Sequence, residues 1–156
     1  MSRSYPFVAL LSLAALTMAL LCAVFLWRMS SPWPNGDMWG GQLIFLIRMD
    51  QGFDFLAFFD QHNEHRIALT RLLFLLDDRL FGGSNASLFA WNFLLAAGFW
   101  ALFLAAIWRE TAGQARIILA AFAGVLAFSL AQAENFGWAF QSQFFLAYVL
   151  PFATYS

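Results

Sequence analysis

Residues 7–27 read FVALLSLAALTMALLCAVFLW, an apolar run with no charge in it. At about 1.5 Å per residue a helix over this stretch reaches about 30 Å, the thickness of a bilayer's hydrocarbon core. Arg3 precedes the run and Arg28 follows it. The run is too long for the core of a signal peptide, and no A-x-A site closes it. It therefore reads as a retained transmembrane helix.

The rest of the composition agrees. Of 156 residues, 62% are hydrophobic and 11% charged, against about 45–50% and about 25% in soluble domains. Phe occurs 20 times and Lys not at all. A net charge of −1 leaves no basic surface for nucleic acid. The single Cys22 excludes an intramolecular disulfide. It is not placed as a lipoprotein cysteine either, since Leu21 before it is not small and the apolar run continues beyond it.

Further spans follow at 88–108 and 117–133, joined by the turn RETAGQAR at 109–116. A fourth apolar run, 144–156, is too short to cross, since a helix needs about 20 residues. The expectation is thus an all-α integral membrane protein with about four transmembrane helices, the last truncated, forming the N-terminal part of a longer single domain. Arg3, Arg109 and Arg116 orient the N-terminus and the short turn toward the cytoplasm. The 28–87 loop and the island at 134–143 then share the outer face.

Within the loop, RMSSPWPNG (28–36) is rich in breakers. Asp37 is placed to cap a helix over Met38–Gln51, with Gly52 as its stop. FDFLAFF (53–59) is aromatic and short. Asn63 is expected to cap a second helix beginning at Glu64 and ended by Gly82 and Gly83. On a helical wheel Leu69, Leu72, Leu73, Leu76 and Leu80 share one arc. Arg66, Thr70 and Asp77 form a stripe beside it, and Glu64, Arg71 and Asp78 another. This suits a juxtamembrane helix lying on the bilayer with its polar girth wetted. Ser84 or Asn85 can cap the second span; the glycosylation pattern Asn85-Ala86-Ser87 is taken as chance.

Charge that is scarce elsewhere gathers in DQHNEHR, 60–66. Charge so near lipid is costly unless it is paired or wetted. His62, Glu64 and His65 have side chains that bind metals, but the spacing is not HExxH and the chain holds only 2 His. No metal ligand is assigned, and a divalent metal is left open. Arg66 and Arg71 could grip a phosphate as a fork, although Arg71 is expected to pair with Asp77 or Asp78. The island ENFGWAFQSQ (134–143) mixes amides and aromatics, the composition of a sugar site and equally of an interfacial belt. Glu134, an acid at the end of a span, is a functional candidate.

A first span, a long loop with an acid near its start, two juxtamembrane helices and then short-looped spans resemble the GT-C class of integral-membrane glycosyltransferases. DMW (37–39), QHNEHRI (61–67) and ENFGWAFQ (134–141) also look like some bacterial members of that class. The resemblance implies inverting transfer of a sugar from a polyprenyl-phosphate donor to an acceptor, on the outer face of the bacterial inner membrane. It implies Asp37 as catalytic base, with Glu64 or Asp60 as alternatives. It implies Arg66, with His65, at the lipid phosphate, and His62, Glu134, Trp138 and Gln141 at substrate. The chain departs from the class in one respect: many members carry two adjacent acids near the loop start, whereas Asp37 is followed by Met38 and Trp39. The partners implied are the lipid-linked sugar and membrane lipids. The rival readings are a non-enzymatic transporter or assembly subunit, and a lipid-phosphate hydrolase, for which no nucleophile motif is present.

Overall fold

The computed structural model describes residues 5–155. Arg3 and Ser156, used above, lie outside the described residues. The helices are α1 (Tyr5–Met29), α2 (Ile44–Gln51), α3 (Ala68–Phe81), α4 (Ala86–Glu110), α5 (Gly113–Ala127), α6 (Ala133–Gly137) and α7 (Ser142–Tyr155). Two-residue strands, β1 (Gln61–His62) and β2 (His65–Arg66), form a small hairpin.

Three helical stretches are long and apolar enough to cross a membrane: Tyr5–Met29, Ala86–Glu110 and Gly113–Gly137, the last interrupted near Phe128. The predicted spans at 7–27 and 88–108 sit inside the first two. The predicted 117–133 span begins earlier, at Gly113, whose φ of +60° makes the turn out of α4. The fourth run forms α7, a 14-residue helix with Pro151 inside it.

Small residues let the long helices approach closely, as apolar solvent requires. A Cβ on Gly124 of α5 would lie 3.3 Å from Ala15 of α1 and from Trp100 of α4. Trp100 Nε1 donates to the Ala120 carbonyl at 3.1 Å. At the tight α4–α5 turn, Arg116 donates to the carbonyls of Trp108 and Thr111 and lies over the Trp108 ring. Gly137 meets Phe25 and Met29 at the end of α1. This fixes the direction of travel: α1 and α5 run parallel, α4 runs against them, and the 28–87 and 128–143 segments meet at one end of the bundle.

The helix over 38–51 is present, with its first full turn, Trp39–Leu43, wound as a π-helix. Gly52 stops it, as expected. The capping role given to Asp37 does not hold: no side-chain cap forms, and only the Asp37 carbonyl accepts, from Gly41 N–H at 2.7 Å.

Two larger corrections concern 60–81. The second helix does not start at Glu64. Asn63 takes the left-handed conformation, φ +50°, and turns the chain into the β1–β2 hairpin, so α3 begins only at Ala68. Asn is among the few residues that adopt this conformation cheaply.

The polar stripes of α3 are also not wetted. Its buried residues are Thr70, Arg71, Phe74 and Asp77, while Leu69, Leu72 and Leu80 are exposed. Thr70, Arg71 and Asp77, expected to meet water, face protein; of the leucine arc, Leu73 and Leu76 are half-buried, Leu73 against the core. An amphipathic helix in apolar surroundings gains by satisfying its polar groups inside and turning its leucines to the lipid.

Arg71 accordingly does not pair with Asp77 or Asp78. Its guanidinium donates to the carbonyls of Ala57 (2.8 Å), Phe58 (3.2 Å) and Asp60 (2.5 Å). Asp77, 0% exposed, accepts from Asn85 N–H (2.9 Å) and Ser87 Oγ (2.5 Å). Asn85, at φ +60°, extends the network. Its Nδ2 donates to the Ser31 carbonyl at 3.1 Å, and its Oδ1 accepts from Gln42 Nε2 at 2.8 Å. Asn85 occupies the cap position of α4 without a side-chain cap. Its side chain is buried and engaged, which closes the glycosylation pattern as a modification site. The α3 terminus ends as expected: Gly82 and Gly83, both left-handed, donate to the Asp77 carbonyl.

Removing the Asp77 carboxylate strands two donors in a dry interior. Asp77→Ala is expected to cost about 3 kcal/mol, since each buried unsatisfied group costs about 1–3 kcal/mol. Asp78, half-buried and 3.5 Å from exposed Arg79, is a surface pair, so Asp78→Ala should cost about 0–1 kcal/mol. Thermal unfolding of both variants in detergent checks the difference.

Candidate functional site

Three segments converge at the polar end of the bundle. The first runs from Asn35 to Leu43. Gly36, at φ +54°, turns the chain beside Trp138, and a Cβ there would lie 2.9 Å from the indole ring. Trp138 Nε1 donates to the Asn35 carbonyl at 3.0 Å. Gly41 sits in the π-turn with no space for a side chain. An added Cβ would come within 2.6 Å of Phe140 and 3.0 Å of His62. The widened turn and the glycine together seat the start of this helix directly on the other two segments. Single π-turns of this kind recur at functional sites.

The second segment is the hairpin. Register pairs His62 with His65 and Gln61 with Arg66, so the two imidazoles share one face of the ladder and Arg66 takes the other. His62 turns inward, its ring 5.1 Å from that of Phe140, with Nε2 buried and unpartnered. Burial holds its pKa below the ordinary 6.5, reinforced by Arg71 and His65; the Asp37 carboxylate opposes the shift. Asp37 is thus within electrostatic reach of His62. It is exposed, and among the described residues its carboxylate makes no hydrogen bond or ion pair. Asp60 is engaged with Arg48 at 2.5 Å, and Arg48 also pairs with Asp54.

The third segment is the 134–143 island. Phe136 and Phe140 are fully buried, and Trp138 stacks on Phe140 at 5.6 Å and 27°. Asn92, a polar residue inside α4, is also buried; its Nδ2 donates to the carbonyls of Trp138 (3.0 Å) and Asn135 (3.4 Å). It fixes the break in the chain between α6 and α7. Glu134 is exposed and lines a cleft of about 430 Å³ with Phe25, Met29, Asn35, Gly36 and Trp138.

The predicted residues therefore divide. Asp37, His62 and Trp138 gather around Gly41 and Phe140, and Glu134 opens on the adjoining cleft. Glu64, His65 and Arg66 stand exposed on the outer part of the hairpin. Arg66 makes no hydrogen bond or ion pair among the described residues. Gln141 is 4% exposed, with its Oε1 buried and unpartnered. It is buried rather than on the open surface, and its backbone N–H donates to the Trp138 carbonyl at 3.0 Å. The Trp138 N–H is already spent on Asn35, so only its ring is free to meet a ligand. Among the described residues no three His, Cys, Asp or Glu side chains gather as a metal site would require.

Gly41 and the Gln42–Asn85 pair were not singled out by sequence reasoning. The paired glycines at 40–41, in an otherwise helical stretch, were the available signal for a close approach. No protein-family model, curated protein or solved structure matches the chain.

The His62 shift carries a sign. The folded site resists the proton that the unfolded chain accepts near 6.5, so the stability His62 contributes is complete above that pH and is lost as pH falls toward the lower folded pKa. The denaturation midpoint in detergent should fall between neutral and mildly acidic pH. His62→Gln should remove most of that fall.

Proposed function

We propose that this chain belongs to a membrane glycosyltransferase of the GT-C type. It moves a sugar from a polyprenyl-phosphate donor to an acceptor hydroxyl on the outer face of the bacterial inner membrane. The observation that carries the reading is the position of Asp37. It is an exposed, unpaired carboxylate next to Gly36, which lines the cleft shared by Glu134 and Trp138, at the polar end of an apolar bundle. Asp60, the alternative base in the loop, is engaged by Arg48.

In this reading Asp37 accepts the acceptor's hydroxyl proton while the oxygen attacks the anomeric carbon. The bond from that carbon to the phosphate oxygen breaks, and the polyprenyl phosphate leaves with the electron pair. A base of this kind needs hydrogen-bond reach of the proton it removes. Arg66, unpaired on the hairpin, meets the departing phosphate, with His65 beside it; fixed cations are most effective where water is scarce. Glu64, on the same turn, holds Arg66 or the acceptor. Glu134 takes sugar hydroxyls, and the Trp138 ring offers a face for the sugar's C–H groups. Gln141, whose N–H holds the Trp138 carbonyl, supports that segment, and His62, kept neutral by burial, borders the base. A divalent metal stays outside this scheme.

One observation favours the non-enzymatic alternative, an assembly subunit or part of a transporter. An apolar groove of about 410 Å³ lies between α4, α5 and α7, lined by Phe99, Trp100, Phe103, Leu126 and Tyr148 among others. A further helix would fill it. Against a transport path stands Asn92, a buried polar side chain of α4, whose Nδ2 is committed to backbone carbonyls.

Asp37→Asn should abolish transfer of labelled sugar from a polyprenyl-phosphate donor in membranes, by about 100-fold or more, the usual contribution of a general base. Membrane insertion should be unchanged. Wild-type transfer by this variant would remove Asp37 from the role and leave Glu64 as the base.

A further inference from the structure

Residues 53–59 turn their polar groups inward and leave their apolar side chains open. Phe53 is 73% exposed, Phe55 62%, Leu56 71% and Phe59 44%. The aromatic rings cluster: Phe55 meets Phe59 in a T-shaped pair at 5.3 Å, and Phe53 and Phe55 stand tilted at 6.2 and 6.4 Å from Phe58. None of these side chains carries a polar tip. An apolar patch of this kind on a surface loop marks an interaction site.

The polar groups of the same segment find their partners within the protein itself. Asp54 accepts the amides of Leu56 (2.9 Å) and Ala57 (3.3 Å) and pairs with Arg48, which also holds Asp60. The carbonyls of Ala57, Phe58 and Asp60 would be free in an irregular turn, yet all three are held by the one buried guanidinium of Arg71. Exposed carbonyls in water are hydrogen-bonded by solvent and need no such clamp. Non-helical backbone near lipid persists only where protein groups satisfy it. A buried arginine whose Nη1 is spent on backbone carbonyls, under a turn that presents phenylalanine and leucine outward, answers that requirement.

The surroundings select the occupant. The loop leaves at the end of α1 and returns at the start of α4, two helices long and apolar enough to cross a membrane, so its base lies at a bilayer surface. On α3, the helix that carries the clamp, Leu69, Leu72 and Leu80 are also exposed. We infer that residues 53–59 form a wedge seated in the lipid leaflet beside the bundle, contacting acyl chains, with Arg71 as its backbone clamp. This holds whether or not the chain transfers sugar.

The test uses spin labels on the full chain reconstituted in phosphatidylcholine vesicles, one at Leu56→Cys and a control at Glu64→Cys. Both positions are exposed, so neither change disturbs packing. Cys22 is buried, and the unsubstituted protein, which should take up little label, gives the background. At position 56, collisions with oxygen should exceed those with a water-soluble nickel chelate, by a ratio several-fold above that at position 64. Equal ratios at the two positions would place the segment in water and overturn the inference. Low collision rates with both reagents at position 56 would mean that protein covers it, and would overturn it equally.

Discussion

Asn85 holds three parts of the chain at once. Its N–H meets the Asp77 carboxylate at the end of α3, its Nδ2 meets the Ser31 carbonyl just beyond α1, and its Oδ1 receives Gln42 from the first loop helix. Asp77, Asn85 and Gln42 are all buried. A buried carboxylate or amide is costly unless its partners are in place, and a buried carboxylate without them would be among the largest single penalties the fold could carry. The loop of 28–87 therefore cannot drift from the bundle without exposing or stranding this set. The three long helices set the frame, and this junction ties the loop to it.

Much of the remaining architecture follows from that tie. With Asp77 facing inward, α3 must also bury Thr70 and Arg71, and Leu69, Leu72 and Leu80 face outward. Arg71 then reaches the carbonyls of 57–60, which fixes the turn ahead of the hairpin. Thr70 meets Ser142 at 3.3 Å, which docks the start of α7 on the same helix. Gln42, held by Asn85, keeps Gly41 against Phe140 and His62. The polar end of the molecule is thus one packed unit, with Asp37 exposed and unpaired beside the cleft and Glu134 exposed within it.

The sequence made the long helices legible because about 20 uncharged apolar residues admit few other folds. Gly52, Gly82 and Gly83 were legible as stops for the same local reason: glycine is cheap where the backbone turns left-handed. The convergence of Asp37 with the 134–143 island followed from counting spans. What could not be read was the facing of α3. A helical wheel gives faces but not what each one meets, so polar stripes read as wetted can equally be buried against protein that supplies their partners. The hairpin at 61–66 was missed because Asn63 serves a helix cap and a left-handed turn equally well. Arg71 was assigned to a carboxylate because sequence spacing shows nearby acids and cannot show a distant turn's carbonyls.

Hydrogen exchange at the amides of Gly41 and Gln42, compared between the protein and its Asn85→Ala variant in lipid nanodiscs, tests the junction most directly. Protection of these amides in the unsubstituted protein, lost in the variant while α5 stays protected, is the result predicted here. Rapid exchange at Gly41 and Gln42 in the unsubstituted protein, or protection that survives Asn85→Ala, would contradict it.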